Sequence, residues 1–196
     1  NVPVDQILAP STQLRERIID AATRLFDRLG VEETTLDIVA ATADVTNGEL
    51  ATLFESKQEL LYDVLKAYND RTFNDMRRIP PKYGDVEARL KQLLRMYYAH
   101  DLTHINLTAA MHAYSWQWSE ARERENVRQL SDHHETVSEI LNDAMDDGEI
   151  EPTNSRNASA LIFSAYTMSL RKAVFESYDA DRLIDHIEPQ LRIILK

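Results

Sequence analysis

The stretch RERIIDAATRLFDRLGVEETTLDIVAATADVTNGELATLFESKQELL, residues 15–61, decides how this chain folds. Its first third carries apolar residues at the spacing of one helix face, and Gly30 is placed to end that helix. The apolar residues of that face are Leu14, Ile18, Ala21, Ala22, Leu25 and Leu29. A long amphipathic helix is therefore predicted at the start of this stretch.

Two short helices are predicted to follow the long one. Thr35 is placed to cap the first, residues 36–42, and the second runs from Asn47 to about Leu53. Four residues, 43–46, form the turn between them. Two short helices joined by such a turn and packed on a longer helix form a helix-turn-helix unit. In this unit the second short helix is the one that enters the major groove of DNA.

The order of residues along this stretch is similar to that of a known family. The residues that carry the pattern are Leu25-Phe26, Gly30, Thr34-Thr35, Val39-Ala40, Ala43, Val45, Gly48, Leu50, Phe54, Ser56-Lys57 and Glu59-Leu60-Leu61. This order resembles the N-terminal domain of TetR-family transcriptional regulators. The resemblance covers roughly the first third of the chain, while the rest fits in length and helical character.

The resemblance implies an all-α fold of about nine helices. A three-helix helix-turn-helix head, about residues 12–56, would stand on a helical body for ligand binding and dimerisation, about residues 57–196. The implied function is a cytoplasmic, ligand-responsive transcriptional regulator that binds operator DNA as a homodimer. The residues expected near DNA are Thr35, Thr46, Asn47, Glu49, Thr52 and Lys57. Asn47 would pair with adenine or a phosphate, and Lys57 with a phosphate.

The charge of the head supports a second hypothesis. The whole chain has a net charge of −11, and no Lys or Arg lies between Leu29 and Ser56. Phosphate contacts normally supply much of the affinity for DNA. The family usually has Gly where this chain has Asp44, and Tyr where it has Ala51. The alternative is a degenerate TetR-fold protein that does not bind DNA and acts by binding a protein partner.

Two pairs of residues have the spacing of a capping box, in which a hydroxyl and a carboxylate satisfy each other's backbone donors at a helix start. They are Thr46 with Glu49 and Ser56 with Glu59. Glu49 is therefore interpreted mainly as a cap of the second short helix, the recognition helix of the unit. Its charge would nevertheless lie close to any bound phosphate.

The remaining chain is predicted to be helical, with a break and a domain boundary at residues 79–84, around Pro80-Pro81. Residues 1–11 are interpreted as a flexible arm. The predicted helices cover about 57–78, 86–100, 103–119, 121–146, 155–177 and 180–194. The first half of the 121–146 helix, including His133 and His134, is highly polar and is predicted to face solvent.

Aromatic and Met residues concentrate in the body and indicate either a small-molecule pocket or an ordinary helical core. The full set is Met96, Tyr97, Tyr98, Met111, His112, Tyr114, Trp116, Trp118, Phe163, Tyr166 and Met168. The residues predicted to bind a small apolar or aromatic ligand are Met96, Tyr97, Met111, His112, Trp116, Phe163 and Tyr166.

The last two helices each carry an apolar stripe that could bury against the protomer's own core or against a partner. One stripe comprises Ala158, Leu161, Ile162, Ala165, Tyr166 and Ser169, and the other Leu183, Ile184, Ile187, Leu191 and Ile194. In the family these helices form a two-fold dimer interface. The resemblance thus implies a homodimer through residues 154–177 and 179–194, while the periodicity allows either arrangement.

Other chemistries receive little support from the sequence. The chain has no cysteine, so thiolate metal sites and disulfides are excluded. His100 and His104 are four apart, but no carboxylate lies at a convincing metal-ligand spacing. Phosphate loops and nucleophile motifs are absent, as is any long apolar run. We therefore predict no enzyme, no cofactor, no metal and no membrane span.

Overall fold

The computed structural model describes residues 10–76 and 83–196, and within these ranges the regular structure consists of nine α-helices with no strand. The helices are α1 (Pro10–Leu29), α2 (Leu36–Ala43), α3 (Asn47–Leu53), α4 (Lys57–Met76), α5 (Val86–Thr103), α6 (Ile105–Tyr114), α7 (Glu120–Asp146), α8 (Ser155–Glu176) and α9 (Ala180–Ile194). The prediction of an all-α fold is confirmed.

Several helix boundaries differ from the prediction, and α5 continues to Thr103 instead of about residue 100. α1 already begins at Pro10, so the last two residues of the predicted arm are helical; proline is tolerated in the first turn of a helix, where its missing N–H has no partner to lose. α6 ends at Tyr114 instead of about residue 119. A short 3-10 turn, Ser115–Gln117, follows α6, and the side chain of Ser119 then accepts from the backbone N–H of Arg122 and caps α7. The predicted break at 79–82 and residues 1–9 lie outside the described residues.

Side chains cap the starts of four helices, including the cap predicted at Thr35, which its hydrogen bond confirms. Thr35, Asp85, Asn154 and Asp179 each accept, through the side chain, from the backbone N–H three residues further on. Because the first N–H groups of a helix have no partner within it, such side chains fix where a helix begins. Local sequence therefore sets the starts of α2, α5, α8 and α9.

The contacts group the chain into two compact units. The head unit comprises residues 10–68 and 106–114, and the body unit 69–105 and 115–196. Within the head unit, α6 is fastened by two hydrogen bonds: Asn106 Nδ2 donates to the carbonyl of Asp27 at 2.6 Å, and the Tyr114 hydroxyl donates to Glu32. The predicted boundary between a DNA-binding head ending at residue 56 and a ligand-binding body starting at residue 57 concerns function, and it stays a prediction.

The body unit is built around one apolar core contributed by α5, α7, α8 and α9. Its fully buried side chains are Leu90, Leu93, Leu94, Tyr98, Val137, Leu141, Ala144, Ile162, Leu183 and Leu191. Most of the apolar stripe on α8, and nearly all of that on α9, belongs to this core, with Ile162 and Leu191 as examples. Those residues are therefore buried in the protomer's own core and not against a partner. Leu161, by contrast, is exposed.

No helix within residues 10–76 and 83–196 is both long enough and apolar enough to cross a membrane.

Candidate nucleic-acid interface and ligand site

The turn between α2 and α3 has the left-handed backbone that usually requires glycine. Asp44 occupies it with φ 54° and ψ 52°. The turn is closed by backbone hydrogen bonds, with Asp44 N–H donating to Ala41 O at 3.3 Å and Val45 N–H donating to Ala40 O at 3.0 Å. An L-residue here carries a steric cost from its Cβ, although aspartate tolerates it better than most. The turn geometry is therefore kept without the glycine that the family favours.

Replacing Asp44 with glycine is expected to stabilise the head by up to about 1 kcal/mol, because the strained Cβ is removed. The same change removes a negative charge beside the recognition helix and should also strengthen DNA binding. Urea unfolding and DNA titration measure the two effects. Ser177→Gly is the matched control, since Ser177 has φ 56° at the end of α8 and no charge. A loss of stability in Asp44→Gly would contradict the strain argument.

The predicted capping box at the start of α3 is confirmed. Glu49 N–H donates to Thr46 Oγ1 at 3.1 Å, and Thr46 N–H donates to Glu49 Oε2 at 2.8 Å. The hydrogen bonds from the Thr46 backbone and hydroxyl stabilise the ionised carboxylate and hold the pKa of Glu49 below its ordinary value. Glu49 is therefore a negatively charged cap of the recognition helix.

Other side chains predicted near DNA are also held within the head. Asn47 Nδ2 donates to Asp37 Oδ1 at 2.9 Å, and Lys57 Nζ donates to the carbonyl of Val31 at 2.9 Å. The hydroxyl of Thr52 donates to the Glu49 carbonyl at 2.7 Å. Each of these groups would exchange or share an internal hydrogen bond to contact a phosphate or a base.

The electrostatic character of this surface is acidic. Exposed carboxylates on and around α2 and α3 include Asp37, Asp44, Glu49 and Glu55. The exposed basic residues on α1 are Arg17, Arg24 and Arg28, and the guanidinium of Arg17 is hydrogen-bonded to the carbonyls that end α2. A nucleic-acid interface here would therefore depend more on hydrogen bonds and the positive ends of helix dipoles than on cations.

The body unit brings three of the predicted ligand residues together. Tyr97 packs edge-on against both Phe163 and Tyr166, with ring centroids 5.9 Å and 6.0 Å away. His133 joins them, its Nδ1 lying 2.7 Å from the Tyr97 hydroxyl oxygen. Burial lowers the pKa of His133 to about 4 and raises that of Tyr97, so both groups are neutral near pH 7. The cluster is aromatic, but it contains polar atoms that need partners.

Polar side chains complete this cluster. The Tyr166 hydroxyl donates to Asp101 Oδ2 at 2.6 Å. His134 stacks on Phe163 with ring centroids 4.7 Å apart, and its Nδ1 lies 3.1 Å from Ser159 Oγ. Burial also lowers the pKa of His134. A ligand entering between these rings would find hydrogen-bonding groups already oriented by the protein.

The prediction that His133 faces solvent is wrong. Val137 and Ile140 follow it at four and seven residues on α7, so all three share one helix face, and all three are buried. The polar neighbours of His133 concealed this spacing. Its i+4 and i+7 relation to two apolar residues was the signal that could have identified it.

The other predicted ligand residues lie elsewhere. Trp116 is 93% exposed on the turn after α6, and Met111 and His112 lie on α6, within the head unit. Met96 is half-buried on α5, next to Tyr97 in sequence. The structure thus brings Tyr97, Phe163 and Tyr166 into one cluster, and it does not bring Trp116 to them.

A groove of about 840 Å³ lies between α7 and the start of α8. Val127, Leu130 and Ala160 supply apolar lining, and His134 connects the groove to the aromatic cluster through Phe163. The other lining residues are Ser131, Glu135, Ser138, Glu139, Asn142, Ser155 and Arg156. This groove has the size of a small-molecule site.

The histidine pair of the sequence analysis lies at the end of α5, with His100 in its last turn and His104 as its C-cap. His100 and His104 have ring centroids 5.7 Å apart, and no group of three or more potential ligands occurs in residues 10–76 and 83–196.

The first third of the chain is similar to bacterial regulatory proteins. The family profile described as "Bacterial regulatory proteins, tetR family" matches residues 18–64. An uncharacterised HTH-type transcriptional regulator of Bacillus subtilis, YhgD, is 31% identical over 47% of this chain and 51% of its own length. The HTH-type transcriptional repressor KstR2 of Rhodococcus jostii is 31% identical over 46% of this chain and 45% of its own length. The chain spans about half the length of these curated relatives.

Solved structures resemble the chain over nearly its whole length. The transcriptional regulator FadR of Bacillus subtilis, solved in complex with stearoyl-CoA, has a TM-score of 0.73 at 18% identity, covering 92% of this chain and 97% of its own. A TetR/AcrR-family regulator from Thermobifida fusca has a TM-score of 0.70 at 23% identity, covering 94% and 97%. At these identities the likeness shows the fold.

Proposed function

We propose that the protein is a ligand-responsive transcriptional regulator that binds operator DNA as a homodimer, because its residues 18–64 match the model of the tetR family of bacterial regulatory proteins. The observation that carries the proposal is the exposure of α3. Leu50 is its buried residue, whereas Asn47, Gly48, Ala51 and Thr52 are exposed. A capped short helix with one apolar anchor and an open outer face suits insertion into a major groove.

A stripe of exposed apolar residues on α8 supports the homodimer. Leu161, Met168 and Phe175 are spaced seven residues apart and are 58%, 67% and 70% exposed. A repeat of seven on one helix face is typical of a helix that packs against another helix. We place the two-fold interface on this face, together with the exposed Ile193 of α9.

The proposed ligand is a small apolar or aromatic molecule bound by the aromatic cluster and the adjoining groove. The groove carries two carboxylates, Glu135 and Glu139, and one guanidinium, Arg156. Such a lining repels a polyanion, so the groove favours an uncharged ligand over a coenzyme A ester of the kind in the FadR complex. The ligand would act by stabilising one arrangement of the dimer and so change its affinity for DNA.

The test is binding of the full chain to DNA fragments from its own upstream region, titrated in salt. Selective binding at about 50 mM salt is expected, with a log–log salt slope of about −4 or shallower, because Arg24 and Arg28 of each subunit displace few counterions. Arg17 is also exposed, but its guanidinium is bonded to the carbonyls of Ala43 and Asp44. Addition of stearoyl-CoA is expected to leave the complex intact, whereas an uncharged aromatic compound bound by the protein should release it. No selective binding by a folded dimer would overturn the proposal.

A second function is favoured by the acidic head. With Lys57 and Asn47 bonded internally and carboxylates exposed around α2 and α3, this surface suits a basic protein surface better than a phosphate backbone. Under this alternative the protein binds another regulator and not DNA. Failure of selective DNA binding, followed by salt-sensitive capture of one basic protein that Asp37→Asn with Glu55→Gln abolishes, would support it.

A further inference from the structure

The recognition helix α3 has little apolar anchorage of its own. It spans seven residues, and Leu50 is the one that is buried. A single buried side chain fixes where a helix touches the core but leaves its rotation and tilt about that point weakly determined. Additional contacts at its two ends are needed to hold it in one orientation.

One such contact lies at the turn before α3. The guanidinium of Arg17, on α1, donates to the carbonyl of Ala43 from Nε at 3.3 Å and from Nη2 at 2.9 Å. Nη2 also donates to the carbonyl of Asp44 at 2.6 Å. These carbonyls end α2, where the helix offers them no partner and its dipole favours a cation. Arg17 thus ties the turn to α1.

The second contact lies at the far end of α3. Nη1 of Arg15 donates to the carbonyl of Leu53, the last residue of α3, at 3.2 Å, and Nη2 pairs with Asp63 on α4. The Arg15 guanidinium also lies over the ring of Phe54, 4.4 Å from its centroid. Arg15 therefore holds the end of α3 to both α1 and α4.

The two arginines are two residues apart, which places them about 200° apart around α1. Arg17, on one side of α1, therefore contacts the α2–α3 turn, and Arg15, on the other side, contacts the end of α3. We propose that Arg15 and Arg17 are positioning residues that clamp the two ends of the recognition helix, and that they do not serve as phosphate contacts. The inference deepens the proposed DNA-binding function.

The first test is hydrogen–deuterium exchange of the full chain, which needs no DNA. Arg17→Gln and Arg15→Gln are expected to speed exchange of amides 45–54 roughly tenfold, because each loses charge-assisted hydrogen bonds. Exchange in α1 and α5 should stay unchanged. Arg24→Gln, an exposed change of the same charge on α1, is the matched control. Equal acceleration throughout the head, or none at 45–54, would overturn the inference.

The second test uses a duplex selected by the wild-type protein from a random pool. Arg17→Gln and Arg15→Gln should weaken binding roughly tenfold at every salt concentration with an unchanged salt slope. Arg17→Lys should not restore affinity, since one ammonium cannot bond both carbonyls in the geometry of the guanidinium fork. A salt slope reduced by about one, or full rescue by lysine, would identify a phosphate contact instead. If the wild type selects no DNA, the proposed function fails. The exchange experiment still decides whether Arg15 and Arg17 hold the two ends of α3.

Discussion

Lowering the pH from 6.5 to about 4 is expected to reduce the free energy of unfolding by about 3 kcal/mol through His133 alone. Burial beneath α5 and α8 lowers the pKa of this imidazole to about 4. The unfolded chain therefore binds the proton first as pH falls. The stability contributed by the neutral imidazole is complete above pH 6.5 and is lost as pH approaches 4.

The groups that surround His133 are consistent with its lowered pKa. The Tyr97 hydroxyl and the Phe163 ring face it without charge, and neighbouring His134 disfavours its protonation. Asp132 favours protonation, but its effect is smaller than that of burial. Protonation would place a cation among aromatic rings, away from water.

Urea unfolding of the wild type and of His133→Asn at each pH measures the effect. Carboxylates that titrate in this range contribute to both proteins, so they cancel in the difference. His186→Asn is the matched control, because His186 is exposed on α9. The explanation is contradicted if wild type and His133→Asn lose equal stability from pH 6.5 to 4, and His133→Gln provides a second variant should asparagine prevent folding.

Replacing Met168 with glutamate is expected to raise the dissociation constant of the dimer on the order of a hundredfold. Met168 lies at the centre of the exposed α8 stripe, between Leu161 and Phe175. Two-fold symmetry places two new carboxylates in the interface, and each loses water when the dimer forms. The fold of the protomer should be unaffected, because the side chain is exposed.

Sedimentation velocity across a concentration series measures the change, with circular dichroism to verify the fold. DNA affinity should fall together with dimerisation, since two half-sites are no longer held by one particle. Tyr83→Glu is the control, because Tyr83 is an exposed aromatic residue before α5, outside both the proposed interface and the groove. A Met168→Glu protein that remains dimeric at wild-type concentrations would place the interface elsewhere.

The helix-turn-helix head was predictable because its signals are local. Thr35, Thr46 and Glu49 act on backbone groups within three residues of themselves, so their spacing alone fixes the starts of α2 and α3. The long helices of the body were predictable for the same reason, from caps and apolar periodicity. The shortened α6 was not predicted because the residues of the 3-10 turn that follows it, Ser115–Gln117, include neither glycine nor proline to mark a helix end.

The candidate sites depended on partners distant in sequence. Composition identified Tyr97, Phe163 and Tyr166, yet it could not show that His133 joins them, because that requires α5, α7 and α8 to meet. Likewise, periodicity could not decide which face of α8 is buried, since apolar residues occur on both.

The sequence by itself determined the all-helical fold, the helix-turn-helix head and its acidic charge, because periodicity, capping and charge are properties of neighbouring residues. Only the tertiary structure decided which groups the few basic side chains of that head contact. Arg15, Arg17 and Lys57 bond to carbonyls at least 25 residues away in the chain, at Leu53, Ala43 and Val31. A count of charges cannot distinguish such a cation from one exposed to a phosphate, because the difference lies in which backbone atoms the fold brings within hydrogen-bond reach.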